Sequence, residues 1–109
     1  MIDISNTQDF NNQILGNQAV LAYFSHEKCN VCQTLKPKIK QQLPDQFPKL
    51  IIIFIDTEKL PEVAGQQRIF TAPVIIIYFE GKESFRFVRN ISISELAKTI
   101  NRPYQLLIS

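Results

Sequence analysis

The chain has 109 residues, 45% of them hydrophobic, which suffices for one buried core and is too short for two ordinary domains. Its 12 Lys and Arg against 10 Asp and Glu leave a formal charge of +2 without a basic cluster that would follow a phosphate backbone, so nucleic acid is not an expected partner. No apolar run approaches the roughly 20 residues of a membrane-spanning helix, and the amino terminus MIDISNTQDFNNQIL lacks the charged start and apolar block of a secretory signal, so a full-length chain is expected in the cytoplasm.

No repeat, low-complexity tract or linker divides the sequence, and residues 1–109 are read as one domain. Ile2 to Ile4 reads as a short first strand. Ser5 and Gln8 then have the spacing of a capping box, Phe10 and Ile14 share a helical face, and Gly16 suits a helix end. AVLAYFS from Ala19 is an unbroken apolar run too short for a buried helix, hence a strand. Cys32, Leu35, Ile39 and Leu43 recur at helical spacing and mark a core-facing stripe. LIIIFID from Leu50 is β-branched and does not alternate, as strands covered on both faces do not.

Pro61 then opens a short helix within residues 59–70, with Leu60, Val63 and Ala64 as its apolar side. VIIIYF from Val74 is another buried strand, EGKE a turn, and SFRFV an alternating edge strand, together a hairpin. Ser92 and Glu95 form a second capping box before a helix faced by Ile93, Leu96, Ala97 and Ile100, which Pro103 is expected to stop. The tail PYQLLIS, with Tyr104, Leu106, Leu107 and Ile108, is expected to complete the core.

The order βαβαβαββα implies an α/β fold, a central mixed sheet with helices on both faces. Active sites of such sheets lie beyond the carboxyl ends of parallel strands, where helices begin. Cys29 and Cys32, the only cysteines, fall at such a place, directly after AVLAYFS.

A structural zinc site needs four ligands, but there is no second cysteine pair and His26 is the sole histidine, so no metal is expected. A disulfide across two intervening residues closes too small a loop to remove much unfolded-chain entropy. A reactive dithiol fits best, with inert core cysteines as the plainer alternative. Cys32 belongs to the core stripe, whereas Cys29 lies one turn earlier, at a helix tip with unpaired amides, and reads as the exposed nucleophile. The helix dipole favours its thiolate by about 0.3–1 kcal/mol, less than the roughly 1.4 kcal/mol of a tenfold change in ionisation. Amide or thiol hydrogen bonds and a nearby cation must supply the rest, with Lys28 the candidate. After Cys29 attacks a substrate disulfide, Cys32 is close enough to attack the mixed disulfide.

Cys29-x-x-Cys32, Pro37 five residues further, Pro73 opening VIIIYF and Gly81 in the hairpin, in this order of elements, resemble the thioredoxin family over nearly the whole chain. The resemblance implies a thioredoxin-like three-layer sandwich, Cys29 attacking and Cys32 resolving, and a helix kinked at Pro37. It also implies a cis peptide bond before Pro73, facing the dithiol, and a main chain at Ala72 that pairs with extended substrate. The implied activity is reduction of protein disulfides without a bound cofactor, with electrons from a flavin-containing disulfide reductase.

Several residues depart from the family pattern. Asn30 and Val31 stand between the cysteines in place of Gly-Pro, which leaves the potential and direction of exchange open. A disulfide oxidant or isomerase, or a thioredoxin-like binding or redox-sensing module, is therefore the second reading. Tyr23 replaces the family's buried acid and Ile52 its lysine partner. A phenol with an ordinary value of about 10 is a poor base, leaving the Cys32 proton to water, Glu27 or His26. Arg89 takes the place of a glycine near the dithiol and is expected to overhang the site. Solvated surface roles are the plainer readings of His26, Lys28 and Arg89.

Overall fold

The computed structural model describes residues 1–108. Its elements are β1 (Ile2–Asp3), α1 (Thr7–Gly16), β2 (Ala19–Ser25), α2 (Asn30–Gln46), β3 (Ile51–Asp56), α3 (Pro61–Gln66), β4 (Val74–Phe79), β5 (Lys82–Val88) and α4 (Ile93–Leu107). The strands form one sheet in the order β1-β3-β2-β4-β5. β1, β3 and β2 run parallel, while β4 and β5 are antiparallel to their neighbours. This is the α/β mixed sheet that the element order implied.

Each face of the sheet carries its own apolar layer. Leu21 and Tyr23 of β2 and Ile75 and Ile77 of β4 pack with Cys32, Leu35, Ile39 and Leu43 of α2 and Leu96 and Ile100 of α4. Val20, Ala22 and Phe24 point the other way, onto Phe10 and Ile14 of α1 and Val63 and Ala64 of α3. Successive strand side chains face opposite sides, so an unbroken apolar run is what a strand between two helical layers requires. β2 is such a strand: Ala22 pairs with Ile53 on one side and Ile76 on the other.

Three local expectations need correction. Asn6, not Ser5, caps α1: its side chain accepts from the Asp9 amide at 2.8 Å, and the Asp9 carboxylate accepts from Ser5 N–H at 3.1 Å. The capping box is thus present but displaced by one residue, because Asp at the third helical position serves as well as Glu or Gln. Pro103 does not stop α4, which continues to Leu107. Its cost is offset by Tyr104, which is buried, stacks edgewise on Phe47 at 5.1 Å and accepts from Lys49 N–H at 2.9 Å. The tail completes the core only through Tyr104 and Ile108, since Leu106 and Leu107 are exposed.

The hairpin turn consists of Glu80 and Gly81, both with positive φ (55° and 79°), the geometry that suits the twist of the flanking strands. β5 supplies Phe85 and Phe87 to the α2–α4 layer and leaves Lys82, Glu83, Ser84 and Arg86 outside. A register shift interrupts its pairing with β4 between Ile77 and Tyr78.

Candidate active site

β2 ends at Ser25, and His26, Glu27 and Lys28 carry the chain to α2. The His26 carbonyl fastens this connection by accepting from Cys29 N–H at 3.2 Å and from the Gln33 side chain at 3.3 Å. Cys29 is the N-cap of α2: its backbone is extended (φ −90°, ψ 105°) and its Sγ accepts from Cys32 N–H at 3.2 Å. An N-cap needs a side-chain acceptor for the orphan amides of the first turn, and here a sulfur fills that place.

Cys29 and Cys32 are joined in a disulfide, their Cα atoms 5.2 Å apart. Cys29 is half-buried while Cys32 is 1% exposed, because the core stripe of α2 begins at Cys32. One sulfur thus faces outward and the other inward. Pro37 lies within α2, where it withholds the amide that would bond the Gln33 carbonyl.

Behind the inner cysteine the wall is aromatic. Tyr23 is fully buried, packs edgewise on Phe54 at 5.9 Å and donates its hydroxyl to the Cys32 carbonyl at 2.7 Å. Burial pushes its phenol far above the ordinary tyrosine value. Ile52 is buried in the same layer. Two cations of α2 face this wall: Lys36 Nζ stands 4.5 Å from the centre of the Phe54 ring and Lys40 Nζ 5.5 Å. A rear cavity of about 430 Å3 is lined by Cys32, Lys36, Asp56 and Lys59 together with His26 and Glu27.

In front, the Ala72–Pro73 peptide is cis and Pro73 is buried. Cys29, His26, Thr57, Phe70, Thr71 and Ala72 share a groove of about 630 Å3. On the other flank Asn30, Val31, Thr34, Arg89 and Ile91 share a groove of about 590 Å3. Arg89 has φ 63° and donates its amide to the Pro73 carbonyl at 2.9 Å, so the backbone after β5 has the conformation that favours glycine.

The structure therefore brings His26 and Ala72 to the Cys29 groove, and Arg89 to Asn30 and Val31. Glu27 lines the rear cavity with Cys32 and also, with Lys28, a small cavity shared with Asp56, Glu58 and Lys59, and it lies 3.8 Å from Lys59 Nζ. His26 Nδ1 lies 3.2 Å from Glu58 Oε1, but off the direction of a hydrogen bond, and this buried atom has no hydrogen-bond partner among the described residues. Lys36, Asp56, Lys59 and Phe70 were not singled out from the sequence. Only the four-residue spacing of Lys36 and Lys40 on α2 was a visible signal.

Comparison with known proteins gives this arrangement a lineage. A family model described as thioredoxin matches residues 1–102. The chain belongs to the thioredoxin family. It is 33% identical over 84 residues to thioredoxin-like protein YdfQ of Bacillus subtilis, covering 77% of this chain and 74% of that protein. It is 26% identical to a thioredoxin of Chlamydia trachomatis over 94% of this chain and 98% of the relative. Among solved structures, a single-residue mutant of a thioredoxin from Halobacterium salinarum superposes with a TM-score of 0.86 at 20% identity, covering 99% of this chain and 93% of that one. Mitochondrial thioredoxin 3 from Saccharomyces cerevisiae, in its oxidised form, gives 0.84 at 19% identity over 92% of each chain. A thioredoxin-family chain whose paired cysteines open a helix is a thiol–disulfide oxidoreductase, and its substrates carry disulfides.

Proposed function

We propose that this chain reduces disulfides in protein substrates, with Cys29 as the attacking and Cys32 as the resolving cysteine. One observation carries the reading: the two sulfurs are within bonding distance, yet Cys29 caps α2 at the surface while Cys32 begins its buried stripe.

From the dithiol state, the Cys29 thiolate attacks one sulfur of the substrate disulfide. The substrate S–S bond breaks, a bond from Cys29 to substrate forms, and one substrate thiolate leaves and takes up a proton. Cys32, once deprotonated, attacks the Cys29 sulfur, forming the intramolecular disulfide and releasing the second substrate thiol. Two electrons pass from the cysteine pair to the substrate, and the chain ends oxidised.

The Cys32 amide that donates to Cys29 Sγ supports the anionic form of the outer sulfur. With Tyr23 committed to the Cys32 carbonyl and its phenol pushed upward by burial, the Cys32 proton leaves through the rear cavity. Glu27 and His26 are the side chains named for this relay in the sequence, and of the two only His26 lines both this cavity and the Cys29 groove. A flavin-containing disulfide reductase is the proposed electron donor that restores the dithiol. A reductant supply of this kind fits a cytoplasmic placement.

Substitution separates the two roles. Cys32→Ser is expected to accumulate covalent, reductant-sensitive adducts with substrate proteins, and Cys29→Ser none. Equal trapping by both variants, or by neither, overturns the assignment, and a wild-type chain that fails to reduce a protein disulfide in the presence of dithiothreitol overturns the function.

A further inference from the structure

Phe70 is the most exposed large hydrophobic side chain among the described residues, at 88%. It stands in the groove that contains Cys29, and its backbone is held from both sides. Before it, Ile69 is buried and donates its amide to the Ala64 carbonyl at 2.8 Å. Arg68 has φ 56°, and the Arg86 guanidinium donates to the carbonyls of Arg68 and Gln67 at 3.3 and 2.8 Å. After it, Pro73 is buried and its carbonyl accepts from Arg89. With the backbone held on either side, the exposed Phe70 ring lines the same groove as the outer cysteine.

Two further features of the groove define what fits there. Among the described residues no Lys, Arg, Asp or Glu lines it, and its only titratable wall besides Cys29 is His26, whereas Lys38, Arg89 and Glu95 line the groove on the opposite flank. No hydrogen bond from the other described residues reaches the main chain of Thr71 or Ala72. Unpaired amides and carbonyls next to an uncharged groove suit an added strand, whose backbone supplies the missing partners while alternate side chains enter the groove. A small disulfide has no such backbone to offer.

We propose that Phe70 sets the substrate preference of the exchange. On the extended pairing at Ala72 that the family resemblance already implies, the favoured substrate places an aromatic or branched aliphatic side chain against Phe70, within two residues of the cysteine under attack. The inference rests on the disulfide-reductase reading and names the substrate class of that same site.

The test uses two peptides, each closed by one disulfide and differing only in the residue that follows the reactive cysteine, Phe in one and Glu in the other. Dithiothreitol regenerates the dithiol, and its background rate is subtracted. The wild type is expected to show at least a tenfold higher kcat/KM for the Phe peptide, mainly through KM. Phe70→Ser is expected to bring the ratio within threefold of unity, and Phe70→Leu to keep most of it. Phe70→Lys is expected to favour the Glu peptide. Equal rates in the wild type, or a ratio that Phe70→Ser leaves unchanged, overturn the proposal while the function stands. Reduction of neither peptide by the wild type overturns the function and this inference with it.

Discussion

The two sulfurs of this site lie on one helical turn in unlike surroundings. The outer one opens on a groove lined without Lys, Arg, Asp or Glu, beside an exposed phenylalanine and an unpaired main chain. The inner one is sealed by Tyr23 from the sheet side, and Lys36, Asp56 and Lys59 line the cavity that reaches it. On the proposed mechanism, contact with a substrate and the handling of a proton fall on opposite sides of the same turn. A peptide can be recognised in front without disturbing the charges behind.

Substitutions at three positions break or sharpen this contrast. The largest effect is expected at the rear wall. Tyr23→Ala removes a fully buried aromatic and is expected to cost about 3–5 kcal/mol, as such truncations do. Tyr23→Phe, which loses only the hydrogen bond to the Cys32 carbonyl, is expected to cost about 1 kcal/mol. Urea denaturation of the oxidised chain measures both, and a loss for Tyr23→Phe as large as that for Tyr23→Ala would show that the hydroxyl, not the ring, holds the wall.

A smaller effect is expected at the support beneath Phe70. Hydrogen bonds from Arg86 hold the Glu83 carboxyl below its ordinary value; burial opposes them, and the charge of the guanidinium adds to them. A lowered folded-state value contributes stability above the unfolded value near 4.5 and loses it as the pH falls through the folded one. The pair is partly exposed, so the contribution is expected to stay under about 1 kcal/mol. The stability difference between the wild type and Glu83→Gln should therefore be present at neutral pH and fade on acidification below that window. A difference that persists in acid would separate the effect from ionisation.

The smallest effect is expected on the far flank. Arg89 holds a left-handed conformation, which costs a non-glycine residue about 1–2 kcal/mol. Arg89→Gly relieves that strain but frees the unfolded chain, so a net gain below about 1 kcal/mol is expected from the denaturation midpoint. A fall in the midpoint would mean that the arginine side chain itself braces the groove.

Much of this was legible beforehand because local pattern and packing agree. The stripe of Cys32, Leu35, Ile39 and Leu43 is the buried face of α2, and AVLAYFS is β2 from end to end. The sequence misled where long-range contacts outweighed a local rule. Pro103 reads as a stop until Phe47 and Lys49, distant in the chain, are seen to hold Tyr104, the very next residue. Ser5 reads as a cap because a shift of one residue leaves the pattern nearly unchanged. The neighbours of the cysteines were partly hidden. Asn30 and Val31 are adjacent in sequence and Lys36 follows Cys32 by four residues on the same helix, but Phe70 and Asp56 come near the pair only through the crossing of α2, β3 and the loop before β4. No spacing along the chain encodes that crossing.

The outer strand β5 bears on how such a molecule avoids pairing with itself. An unprotected border of a sheet is a template for any other chain in extended form. Here that border carries Lys82, Glu83 and Arg86, and the register slip at Ile77 and Tyr78 disturbs the regularity that stacking would need. Association through β5 is thereby discouraged, while the short stretch at Thr71 and Ala72 remains open to a visitor.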